Sequence, residues 1–85
     1  MDKKEYATWN FPLWVDNDYD LYQAKMRLLK QLSRANRRVG RLDVYRFLIA
    51  NIGYISQDGA KIDDVDLASV ASDWEAERQA GQDDN

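Results

Sequence analysis

The chain has 85 residues, 45% of them apolar, a net charge of −3, three tryptophans, no cysteine and no histidine. This composition gives a single folded domain with one modest core. It excludes disulfides, thiolate–metal chemistry, and any general base, metal ligand or switch near neutral pH that relies on imidazole.

The charge is strongly segregated. Residues 1–24 carry −3, residues 25–49 carry +7 with Asp43 the only carboxylate, and residues 50–85 carry −7. No apolar run reaches the roughly 18–20 residues that span a bilayer, and Met1–Tyr6 lead into no signal-peptide core. A soluble cytoplasmic protein without membrane contact is expected.

Residues 1–7 are polar and expected to fray, with Tyr6 the first anchor. Thr8–Val15 holds Trp9, Phe11, Leu13 and Trp14. It predicts a short helix or turn capped by Thr8 or Asn10, with Pro12 confined to its first turn. Asp16-Asn17-Asp18-Tyr19-Asp20 then breaks the chain and starts a helix, with Asp18 as N-cap and Asp20 favourable in the first turn. This long helix is expected to reach about Arg37. Leu21, Ala24, Leu28, Leu32 and Ala35 form its apolar face, and Gly40 its C-terminal cap.

Lys25 falls inside that apolar stripe. The preferred reading is a snorkelling stem; the sharper one is an ion pair with a distant carboxylate, or a partner contact.

Leu42–Gly53 is apolar nearly all round when placed on a helix. It is expected to be the centre of the fold. Tyr45, Ile49 and Ile52 would meet the long helix, Val44 and Leu48 the last helix, and Phe47 the amino-terminal tryptophans. Gly53 ends it, and Asp58-Gly59 marks a turn. Asp63, Asp64 and Asp66 open a last helix whose narrow stripe of Leu67, Val70, Ala71 and Trp74 predicts a peripheral position. The expected architecture is all-α: three to four helices in a compact bundle around the central apolar helix, with at most a tiny hairpin near 54–62. One domain is expected over residues 1–80, with a disordered tail at 81–85.

Asp16, Asp18 and Asp20 have the opening spacing of a calcium loop. Its sixth position is Leu21 instead of glycine and its twelfth is Arg27 instead of glutamate, so the motif fails. Asp58-Gly59 with Asp63, Asp64 and Asp66 fails too, its hydrophobic position being out of register. Helix capping accounts for both clusters. Ser33, Ser56, Ser69 and Ser72 have no histidine to activate them, and there is no phosphate-cradling glycine loop. No catalytic residue, metal or cofactor is expected.

Two surfaces invite an interaction reading. Arg27, Lys30, Arg34 and Arg38, with Arg37 and Arg41 beside them, form a basic face able to lie along a phosphate backbone. A solvated face, or one neutralised by the acidic last helix, ranks ahead of that reading, as does a protein-partner surface. Tyr19, Tyr22 and Met26 flank the long helix outside its central stripe. They are expected to meet the Trp9–Trp14 segment, with a homodimer or partner-binding surface as the alternative. The carboxylates Asp63, Asp64, Asp66, Asp73, Glu75 and Glu77 form a solvated face, or a negative surface that mimics nucleic acid to a basic partner. Asp66, Asp73 and Glu77 join Tyr19, Tyr22 and Met26 as candidates for contact with a protein.

The run Tyr6-x-Thr8-Trp9-Asn10-x-x-Leu13-Trp14-x-x-Asn17-Asp18-x-x-Leu21-Tyr22 resembles the opening signature of a family of short, uncharacterised proteins of phages, plasmids and prokaryotic genomes. Asp58-Gly59, Asp63 and the Asp66-Leu67 helix start are similar to that family's closing segment. The resemblance covers the two ends of the domain and implies an accessory protein of a mobile element. Such proteins often bind host machinery, including restriction or CRISPR complexes. The expected function is therefore a non-enzymatic protein-binding module, of anti-CRISPR or anti-restriction type. The alternative is a small nucleic-acid-binding protein using the basic face.

Overall fold

The computed structural model describes residues 1–83. Four α-helices follow in order: α1 Lys3–Asn17, α2 Tyr19–Arg34, α3 Arg41–Asn51 and α4 Leu67–Asp83. A one-turn 3₁₀ segment, Ile62–Asp64, precedes α4. The domain is an all-α bundle, and the 54–62 link contributes one antiparallel bridge, between Ile55 and Lys61.

The amino-terminal segment does not fray. Asp2 caps α1 by accepting from the Glu5 amide at 2.7 Å, and the helix runs on through Pro12. An interior proline costs about 3 kcal/mol. Burial of Ala7, Phe11 and Val15, one turn apart along the inner face of α1, offsets it. Asp18 caps α2 as its sequence predicts, accepting from the Leu21 amide at 3.0 Å.

α2 ends three residues short of the expected Arg37, at Arg34. Asn36 adopts a left-handed φ of 55°, the Arg37 amide bonds the Leu32 carbonyl at 2.8 Å, and the Asn36 amide bonds that of Ser33 at 3.0 Å. This is a Schellman termination with asparagine in the place where glycine is commonest. Gly40 is freed to be the N-cap of α3, where the Asp43 side chain accepts from its amide at 2.8 Å. Gly53 at φ 109° closes α3, and Gly59 at φ 84° makes the turn after Asp58.

The centre of the bundle is α4, not α3. α4 packs against α1, α2 and α3, whereas α3 packs chiefly on α4 and the 3₁₀ turn. Val70, Ala71 and Trp74 are buried in α4, and so is Glu75. The narrow apolar stripe misleads because buried Glu75 and largely buried Arg78 widen the covered face beyond its hydrophobic positions. In α3, Val44 and Leu48 are fully buried, but Leu42 is 56% exposed. Phe47 meets Trp74 edge to face at 5.3 Å, not the amino-terminal tryptophans. Tyr45 lies beside Tyr54 and Asp63, so its side of α3 faces the 54–64 segment and not α2. Residues 81–83 continue α4 instead of starting a tail; the rest of the expected tail lies outside the described residues.

Candidate interaction surfaces

Three polar networks tie the bundle together and take up many of the chemically conspicuous side chains. The first holds the Asp58-Gly59 turn on α1. Tyr6, Asn10 and Trp14 line one side of α1 at four-residue spacing. The Tyr6 hydroxyl donates to the Asp58 carbonyl at 3.0 Å, while Asn10 Nδ2 and Trp14 Nε1 both donate to Asp58 Oδ2 at 2.9 Å. Buried Asn10 also accepts from Ser56 Oγ at 2.7 Å, and Ser56 Oγ accepts from the Ala60 amide at 3.1 Å. Nearby, the Asp66 amide donates to Thr8 Oγ1 at 2.8 Å. Side chains of the Tyr6–Trp14 stretch thus contact the Asp58–Asp66 segment directly.

The second network answers the question posed by Lys25. Its side chain is 1% exposed, so it does not snorkel. Nζ lies 2.7 Å from Asp16 Oδ1 and 2.8 Å from Glu77 Oε2, with the Tyr22 and Trp74 rings 5.2 and 5.7 Å away. Burial by itself weakens its hold on the proton. Hydrogen bonds to Asp16 and Glu77 outweigh that, and its pKa lies above the usual lysine value.

The third network is centred on Glu75. Oε1 accepts from the Val39 amide at 3.0 Å and from Arg78 Nε at 2.7 Å, while Oε2 accepts from Arg78 Nη2 at 2.7 Å and Gln79 Nε2 at 2.9 Å. The Arg78 guanidinium first, and the Val39 amide next, hold this carboxyl far below the usual range against the opposing effect of burial. Arg78 Nη1 reaches Ser33 Oγ at 3.3 Å. Glu75 therefore fastens the α2–α3 link and the end of α2 to α4.

The protein-contact candidates divide accordingly. Asp66 accepts from the Ser69 amide at the start of α4, and Glu77 is committed to Lys25. Asp73 is exposed on the same side of α4, and Tyr22, Met26 and Glu77 line one groove between α2 and α4. Tyr19 is 77% exposed and Tyr22 39%, so α1 does not cover them as expected. Trp9 and Leu13, one turn apart on α1, are also exposed.

The basic candidates separate as well. Arg27, Lys30 and Arg34 are exposed along α2 and form no ion pair among the described residues. Arg37 and Arg38 approach Asp43 and Glu75 only at 3.7 and 3.8 Å, with their side chains 62% and 81% exposed. Arg41 sits between two grooves, one shared with Arg38 and Glu75 and the other with Lys4, Asp63, Asp64 and Asp66. Lys30 and Arg34 share a groove with Glu77 and Arg78 of α4, but the carboxylates there are engaged elsewhere, Glu77 by Lys25 and Glu75 by Arg78. Arg46 of α3, also exposed, lines the α2–α3 groove together with Arg27.

No family model matches the chain, and searches of curated proteins and of solved structures return no match. No helix of the described residues is long and apolar enough to cross a membrane.

Proposed function

We propose that this chain is a small non-enzymatic protein-binding module that uses the outer face of α2. The observation that carries this reading is the joint exposure of Tyr19 and Tyr22 beside Arg27, Lys30 and Arg34. At 100° per residue, these five side chains and Met26 fall within roughly 140° of one helix surface. Tyrosine and arginine are the residues that contribute most where proteins meet, because both bring rigid surface together with hydrogen-bonding groups. The signature resemblance supports a setting in a phage or other mobile element. In that setting the module acts by occupying a host protein, as an inhibitor of a defence system of restriction or CRISPR type.

Affinity capture from nuclease-treated prokaryotic lysate tests the reading. The wild-type chain should retain a protein in near-stoichiometric amount, and Tyr19→Ser/Tyr22→Ser should lose it. Recovery of nucleic acid without protein from untreated lysate would overturn the proposal. That outcome belongs to the second reading, a nucleic-acid-binding protein, which draws on the absence of a carboxylate partner for Arg27, Lys30 and Arg34 among the described residues.

A further inference from the structure

We infer that the groove between α2 and α3 docks a short acidic and apolar segment of a partner protein. This inference rests on the protein-binding reading and specifies the chemistry of its partner.

The groove is shallow and open to solvent, with a volume of about 390 Å³. Its apolar floor is made of Ala24 and Leu28 from α2 and Phe47 and Ala50 from α3, with the polar Gln31 and Asn51 also lining it. Its walls carry one exposed arginine from each helix, Arg27 and Arg46, and neither forms an ion pair among the described residues. The carboxylate at this groove, Asp43, is already engaged. Its Oδ2 accepts from the Gly40 amide at 2.8 Å and its Oδ1 faces Arg37 at 3.7 Å. The field in the groove therefore stays positive, within a segment whose net charge is +7.

Two features select the occupant. Planar guanidinium groups on both walls match carboxylates in a two-bond geometry, so acidic side chains on either flank of a segment are held. The apolar floor rewards burial of hydrocarbon at about 25 cal/mol per Å², which a sugar–phosphate backbone does not supply. A segment with apolar residues on one edge and carboxylates on both flanks satisfies both features; nucleic acid satisfies only the first. The net charge of −3 acts in the same direction. It disfavours approach of a long polyanion, while a local positive groove attracts a compact acidic segment within the Debye length of about 8–10 Å.

Fluorescence anisotropy with three labelled probes tests the inference: a glutamate-rich peptide with leucines at helical spacing, the same peptide with glutamine in place of glutamate, and a DNA duplex. The acidic peptide should bind, more tightly at low salt, and ahead of both rivals. Arg27→Gln/Arg46→Gln should weaken it roughly tenfold or more. Ala50→Glu, at an exposed floor position, should do the same, while Arg41→Gln in the neighbouring groove should change little. All of these substitutions are at exposed positions, and circular dichroism verifies that the helices persist.

Equal binding of the glutamine peptide, tighter binding of the duplex, or no binding of the acidic peptide at low salt would each overturn the inference. A protein captured from lysate by the wild type and equally by Arg27→Gln/Arg46→Gln would remove the groove and leave the protein-binding reading standing. Capture of nucleic acid alone would remove both.

Discussion

Asn10 and Asp58 lie 48 residues apart in the chain, and the Asn10 amide donates to the Asp58 carboxylate at 2.9 Å. The same oxygen accepts from the Trp14 indole, and the asparagine is 1% exposed. An exposed turn thereby supplies the acceptor for a buried amide on α1. The arrangement explains why a polar asparagine sits among the core residues Ala7, Phe11 and Val15 without leaving an unsatisfied group.

Asp58→Ala should therefore cost more than a typical surface substitution. It removes the acceptor shared by two donors, one of them on a buried side chain, and should lower stability by about 2–3 kcal/mol. Asp58→Asn, which keeps an acceptor oxygen, should cost less. Urea denaturation of both variants measures the difference.

Phe47 and Trp74 should be energetically coupled. Phe47→Ala should destabilise by roughly 3–5 kcal/mol through the cavity it leaves. In a double-mutant cycle with Phe47→Leu and Trp74→Phe, the edge-to-face contact at 5.3 Å should give a coupling of about 0.5–1.5 kcal/mol. The same cycle with Trp9→Phe should give none, because Trp9 is half exposed on α1.

Lys25 predicts a distinctive alkaline behaviour. Its pKa is raised in the fold, so the stability it contributes is fully present below the unfolded value near 10.5 and is lost as pH rises through the higher folded value. Tyr45, raised chiefly by desolvation, weakens the fold in the same direction above pH 10. The readout is consequently a difference: melting temperature should fall less steeply between about pH 9.5 and 11.5 in Lys25→Met than in the wild type. At pH 7 Lys25→Met should lie within about 1 kcal/mol of the wild type or above it. The hydrocarbon keeps its packing, and half-exposed Asp16 and Glu77 regain water.

Glu75 predicts the opposite slope in acid. Its pKa is depressed, so its contribution is present above the unfolded value of about 4.5 and is lost as pH falls toward the lower folded value. Wild-type stability should decline from about pH 5 downward, and Glu75→Gln should flatten that decline. Glu75→Ala should cost about 3–5 kcal/mol at pH 7, since it strands Arg78, whose side chain is 9% exposed, and frees the Val39 amide. Chemical denaturation across a pH series checks both.

Much of the architecture was legible in the sequence because it depends on short-range physics. The Asp18 cap, the amphipathic face of α2, the Gly53 stop and the Asp58-Gly59 turn each follow from groups within a few residues of one another. The extent of α1 was not legible. Pro12 and a polar lead-in argue locally against a long helix, and only the burial of Ala7, Phe11 and Val15 against the rest of the bundle overrides them. Of the interaction surface, the residue types on α2 were readable by spacing. Arg46 was not, since its relation to Arg27 exists only once α3 is set beside α2.

Composition, charge segregation, the α2 start at Asp18 and the α3 stop at Gly53 were all readable along the chain, because periodicity and capping act between near neighbours. Tertiary structure alone decided that α4 is the hub, that Lys25 is an internal counterion, that Asp58 is the acceptor for α1, and that Tyr19, Tyr22 and the α2 arginines remain uncovered. Those outcomes depend on which faces of distant segments meet. That choice is fixed by the burial and hydrogen-bond satisfaction of the whole bundle, and not by any local pattern.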